Sequence, residues 1–339
     1  MNKPLGIVFL LAAFAWAPPS LATNVPGLMY TADSKSPVPI PPSEKGLQTV
    51  TAQAWFKVSE QGLQLEGAVF DTEGNLRFVD VFNDRVFKLT TDKKLTSFQT
   101  PPKFSPAGLA VHKDGRIFIA GLGNFNNSGG VIATRRDGSH VQTIVPPSAG
   151  YLVDDIDFDA KGGFYFTDFR GTSSDPQGGV FYVSSDGRTT TPVLTHLAVA
   201  NGVALSPDGK TLWADELSSG LLHKVELSAP TTIAPFGTSV PYHFTGPAPD
   251  SMRVDADGNV YVAIYGQGRI LVFNSTGLPI GQILIPGRDS GHHLLSTSMA
   301  IKPGTHDLYI LASDGNKGQG AEIYRAGAFA KAAPSYAQP

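Results

Sequence analysis

Four polar residues recur at one phase of the chain. Glu66 in LEG, Asp154 in DDI, Asn201 in NGV and Asp250 in PDS each precede an apolar run, and each lies eight residues before a turn glycine: Gly74, Gly162, Gly209 and Gly258. Three carboxylates and an amide gathered at one point would repel and hold on to their protons unless a cation balanced them. Oxygen donors suit a hard divalent ion, so calcium is the expected metal, with magnesium or manganese as alternatives and zinc disfavoured without histidine or thiolate ligands. Ser251, next to Asp250, offers a hydroxyl to the metal or to a substrate; a plain backbone cap is its other reading. Each residue alone has an ordinary structural reading, and the shared phase argues for a common centre.

The elements that must position them show as a repeat. FDTEGNLRFVD (70–80), VHKDGRIFIAG (111–121), FDAKGGFYFTD (158–168), LSPDGKTLWAD (205–215), VDADGNVYVAI (254–264) and the looser IKPGTHDLYIL (301–311) place their glycines 41, 47, 47, 49 and 46 residues apart. That is the size of a four-stranded blade. Each copy sets an apolar strand before an acidic-glycine turn and an alternating strand after it. The expected fold is therefore all-β, a six-bladed β-propeller of four-stranded blades around a central channel, over 47–330. A two-sheet sandwich is the alternative. Leu47–Val58 is expected to complete the last blade and close the ring. Asp255-Ala256-Asp257-Gly258-Asn259 resembles the start of a calcium loop, but its glycine is at the fourth position and no helix or bidentate glutamate follows, so turn chemistry accounts for it.

With no cysteine, thiolate nucleophiles, cysteine zinc sites and iron–sulfur clusters are excluded. The net charge of -3 and the lack of a basic run argue against nucleic acid or an anionic membrane as partner. Residues 1–22 carry Lys3, an apolar run from Leu5 to Trp16 and the small-x-small exit Ser20-Leu21-Ala22. They read as a secretory signal peptide, too short in its apolar part for a membrane anchor. The expected product is periplasmic or secreted, with an extension at 23–46 and a tail at 331–339.

The passages VDDIDFDAKGGFYFTDFRG, VANGVALSPDGKTLWADE, PYHFTGPAPDSMRVDADGNVYVAIYGQGRILVF and GLPIGQILIPGRDSGHHL carry a resemblance over most of 50–330. The chain resembles the senescence marker protein, gluconolactonase and luciferin-regenerating enzyme family, and within it the drug-responsive lactonases of staphylococci. The resemblance implies a six-bladed propeller with a catalytic divalent cation, usually calcium, acting on lactone esters. It carries metal ligation onto Glu66, Asp154, Asn201 and Asp250, with Ser251 as polar neighbour. Some relatives have asparagine at the position of Asp154, so this site is more anionic. The staphylococcal lactonases also resemble a two-calcium design; in the corresponding loop, IVPPSAGYLVDD, prolines replace the acidic opening and Ala149 a hydroxyl, so only the channel ion is expected here.

In a lactonase of this kind Asp250 would move a proton between attacking water and leaving alkoxide, and Asp155 would position or deprotonate the water instead, or support the ring from behind. His292 and His293 in GHHL read chiefly as loop packing, with substrate contact as the alternative. Tyr242, His243 and Phe244 read as a pocket wall or as packing between blades. Two other functions stay open: a propeller whose ion merely joins the blades, and a condensing enzyme of the strictosidine synthase type.

Overall fold

The acidic-glycine phrases form the tight turns their chemistry demands. Gly74 has a φ of +79° and its N–H donates to the Asp71 carbonyl, while the Asp71 carboxylate accepts from the N–H groups of Glu73 and Asn75. Asp255 does the same work, taking the N–H groups of Asp257 and Asn259 and the Tyr261 hydroxyl, which makes it a turn residue. A computed structural model describes residues 27–338, so the expected signal peptide lies outside the described residues. Among the described residues, no helix is long and apolar enough to cross a membrane.

Six meandering sheets follow one another around a channel. Their inner strands are Leu65–Phe70, Pro106–Val111, Val153–Phe158, Ala200–Leu205, Pro249–Val254 and Leu295–Ile301, each an edge of its sheet. They define blades 1 to 6 in that order. The acidic-glycine turns sit at one end of the channel, and the chain enters every inner strand from the other. The core is not one mass: six apolar clusters each join two adjacent blades, as where Phe118 of blade 2 meets Phe158 and Phe164 of blade 3. A sheet with both faces covered by its neighbours needs apolar residues on both, which is why strands such as Val260–Ile264 are buried throughout.

Ring closure uses the early strand, with a difference. Gln53–Ser59 pairs antiparallel with Ala321–Gly327 and completes blade 6, whereas Gln48–Thr51 runs parallel to Pro279–Leu284 as a fifth strand of blade 5. The pivot is Ala52, buried, with its N–H on the Leu284 carbonyl. One segment thus fastens two blades.

The flanks are also tied down. Glu44, fully buried, pairs with Arg269 and accepts from the Tyr242 hydroxyl, and Gln282 Nε2 donates to its carbonyl at 3.2 Å. At the other terminus, Tyr336 packs on His112 and Phe158, and Gln338 Nε2 donates to the Asp71 carbonyl at 2.7 Å. Residues 332–338 thereby cross the turn end of the channel over a cavity of about 760 Å³ lined by Ala68, Leu109, Ile156, Ala204, Arg253 and Ala300.

Candidate active site at the channel mouth

Four residues back from the last residue of each inner strand stand Glu66, Ala107, Asp154, Asn201, Asp250 and Thr297, one from each blade. The structure thus brings the four phased residues of the sequence into one ring, with Ser251 beside Asp250. In every blade the pairing register breaks at this level: Glu66/Val69, Pro106/Leu109, Val153/Ile156, Ala200/Val203, Pro249/Met252 and Ser296/Ser298. Such irregularities turn side chains away from the regular alternation and release backbone N–H groups from the ladder. Side chains then take up those amides: Ser298 Oγ holds Ala68 N–H, Thr167 Oγ1 holds Asp155 N–H, Asp215 Oδ1 holds Gly202 N–H and Asp250 Oδ1 holds Ser251 N–H, all at 2.8–3.0 Å. Neighbouring inner strands approach closely. A Cβ on Gly202 would lie 2.6 Å from the Asp250 carbonyl oxygen, so only glycine fits there.

The ring residues are buried, and the acids feel it. Burial first, then the charges of Asp250 and Asp154, raises the Glu66 carboxyl well above its ordinary range; burial followed by Asp250 and Asp155 does the same to Asp154. Burial pushes Asp250 up to about 8 despite the Ser251 N–H and the Asn201 amide, which favour its charged form. Ser251 Oγ donates to Glu66 Oε2 at 3.3 Å.

Among the described residues no group of three or more acidic or histidine side chains forms a ready-made metal site. The ring nevertheless fits a hard cation in two respects. Its acids are crowded and uncompensated, and Asn201 Oδ1 is buried with no hydrogen-bond partner, an oxygen that a cation would take.

Asp155 lies beneath the ring, fully buried, with both oxygens engaged: Arg253 donates to it at 2.9 Å, and the N–H groups of Ile156 and Val203 donate at 3.0 and 3.4 Å. That links blades 3, 4 and 5 and gives Asp155 the character of a support. Asp215, fully buried, stands behind Gly202 with one oxygen unpartnered, and burial raises it well above the usual range. Counting six forward from the glycines groups it with Asp80 and Asp168, but blade 4 has one extra residue after Gly209, so Glu216 and not Asp215 takes their place in space: Leu205 pairs with Leu212, whereas Phe70 pairs with Leu76. Thr297 escapes in the opposite way, since Gly304 sits one place closer to its strand and back-counting yields Ser296. Arg253 gave no signal beyond being a lone base in an apolar run.

The other candidates fall outside the ring. His292 Nδ1 contacts the Asp314 carboxylate at 3.1 Å, and His293 is buried against Tyr324 with its N–H on Asp314, so both pack the loop. Tyr242 and Phe244 pack on Phe273 between blades 4 and 5, while His243 is exposed. Near the proline-containing loop before blade 3, Asp168 is paired with Arg170 and holds the Leu152 N–H.

Residues 65–313 match the SMP-30/gluconolactonase/LRE-like region. Lactonase drp35 of Staphylococcus saprophyticus is 50% identical over 319 residues, 93% of this chain and 98% of that protein. Lactonase drp35 of Staphylococcus haemolyticus is 51% identical over 320 residues, 92% and 98% of the two chains. Among solved structures, regucalcin, a calcium-binding protein from Agrobacterium tumefaciens, superposes with a TM-score of 0.70 at 18% identity, over 85% of this chain and 99% of that one. A gluconolactonase from Xanthomonas campestris gives 0.66 at 17%, over 83% and 96%. The two solved structures share the propeller, and the family match together with half-identity over nearly the whole chain shows that this protein belongs to the SMP-30/gluconolactonase/LRE-like family.

Proposed function

We propose that the protein is a lactonase that opens small cyclic esters with the help of a divalent cation, calcium first, with magnesium or manganese as alternatives. Glu66, Asp154, Asn201 and Asp250 would hold the ion, with Ser251 alongside. Once bound, it supplies positive charge that polarises the lactone carbonyl. The chain does the rest. Asp250 is the proton carrier, taking a proton from the attacking water and delivering it to the leaving alkoxide. Asp155, engaged by Arg253, supports the ring and keeps Asp154 and Asn201 in place. Aliphatic, aromatic and sugar lactones are the substrate classes to test, and the leader at 1–22 points to action in the periplasm or outside the cell.

The observation that carries this reading is the buried ring of three acids and an unpartnered amide oxygen in a chain half identical to proteins named lactonases. Purified protein stripped with a chelator should hydrolyse a lactone panel only after calcium is restored, and Asp250→Ala should remain inactive with calcium present. Hydrolysis that persists without any divalent ion sinks the cation's role, and an active Asp250→Ala sinks the proton assignment.

A further inference from the structure

Asp154 and Asn201 stand on neighbouring blades, and one buried hydroxyl lies between their backbones. In blade 3, Val153 pairs with Asp168 and Ile156 with Phe166, so Asp154 and Asp155 together face the single residue Thr167. Thr167 belongs to the strand Phe164–Asp168, which is buried throughout. Burial alone would favour valine there, since a sunken hydroxyl is costly unless it is bonded. The Thr167 hydroxyl is bonded twice. Its Oγ1 accepts from the Asp155 N–H at 2.9 Å and donates to the Asn201 carbonyl of blade 4.

Other blades fill the place opposite the irregularity differently. It is Ala120 in blade 2 and Ala263 in blade 5, neither with a polar side chain to offer. In blade 4 it is Asp215, which takes the Gly202 N–H at 3.0 Å within its own blade. The peptide leaving Asn201 is therefore clamped at both ends, its carbonyl by Thr167 and its N–H by Asp215. The peptide leaving Asp154 is held by the same Thr167 hydroxyl through the Asp155 N–H. Aspartate and asparagine are short, with few staggered positions for their oxygens, so the orientation of these two peptides decides where Asp154 and Asn201 point.

Resting on the cation-assisted lactonase reading above, we propose that Thr167 is a positioning residue, whose hydroxyl sets Asp154 and Asn201 at the spacing a divalent cation needs across the seam between blades 3 and 4. It acts through those two residues. Without the hydroxyl the Asp155 N–H and the Asn201 carbonyl are left buried and unpaired, and the two inner strands shift to satisfy them.

The test is calorimetric titration of calcium chloride into chelator-stripped, full-length mature protein carrying Thr167→Val, Thr167→Ala or Thr167→Ser. Expected is calcium affinity about ten- to a hundred-fold weaker in the first two, which lack the hydroxyl, and within about three-fold of wild type in Thr167→Ser, which keeps it. Wild-type affinity in a hydroxyl-free variant overturns the proposal, whatever happens to its melting temperature. Equal weakening in Thr167→Ser and Thr167→Ala also overturns it, since the methyl group would then be what matters. Failure of both hydroxyl-free variants to fold, with Thr167→Ser folded, overturns it too, because the hydroxyl would then serve the fold. Wild-type protein that takes up neither calcium nor magnesium or manganese overturns instead the reading on which the role rests.

Discussion

Replacing Asp250 with asparagine should abolish hydrolysis and at the same time stabilise the cation-free protein. The carboxyl has an ordinary value of 3.8 and is pushed up to about 8 in the fold, chiefly by burial. An acid that binds its proton more tightly when folded costs nothing below its unfolded value, and stability then falls as pH rises from there toward the folded value. Between pH 4 and pH 7 that is about three units at ~1.4 kcal/mol each, on the order of 4 kcal/mol. Asparagine removes the charge and keeps an oxygen for the Ser251 N–H, now at 2.8 Å. With ~2.1 cal/mol/K per residue over roughly 300 folded residues, 4 kcal/mol corresponds to about 6 °C in melting temperature. Scanning calorimetry in chelator should show the two proteins melting together near pH 4 and the variant several degrees higher near pH 7. Calcium should raise the wild type more than the variant and narrow the gap. A variant less stable at pH 7, or a gap that does not close toward pH 4, would refute the claim that these acids are held together against their charge.

Three further outcomes follow from the same geometry. Arg253→Met leaves Asp155 buried without its cationic partner and should cost about 3–5 kcal/mol in urea unfolding at neutral pH, a loss under about 1 kcal/mol contradicting the supporting role. Gly202→Ala puts a methyl group 2.6 Å from the Asp250 carbonyl; about 1–3 kcal/mol of stability and most of the hydrolysis should go with it, and normal kinetics would show that the inner strands tolerate movement. Tyr336→Ala strips the aromatic anchor of the C-terminal segment from His112 and Phe158, so stability should drop by about 1–3 kcal/mol while kcat/KM stays within about two-fold, because its ring packs at the turns and on none of the ring acids.

Much of the architecture was legible in the chain because it rests on local chemistry. Each acidic-glycine turn is built within five residues, and four residues separate the inner-strand end from the glycine in blades 1 to 5. Back-counting therefore brought Glu66, Asp154, Asn201 and Asp250 into register without knowledge of their neighbours, and the spacing of the copies set six blades. What lay beyond reach depends on contacts between segments far apart. Asp155 becomes a support only because Arg253, 98 residues on, reaches it. Glu44 and Tyr336 turn out to be fastened parts of the fold because blades 5 and 3 receive them, and the segment at 47–58 divides between two blades because Ala52 is buried where they meet. Asp215 and Thr297 were misplaced by single-residue differences in turn length, which shift a count along the chain and leave the spatial ring unchanged. Turn type and strand phase are decided over a few residues. Burial and charge pairing are decided by what the closed ring brings against them.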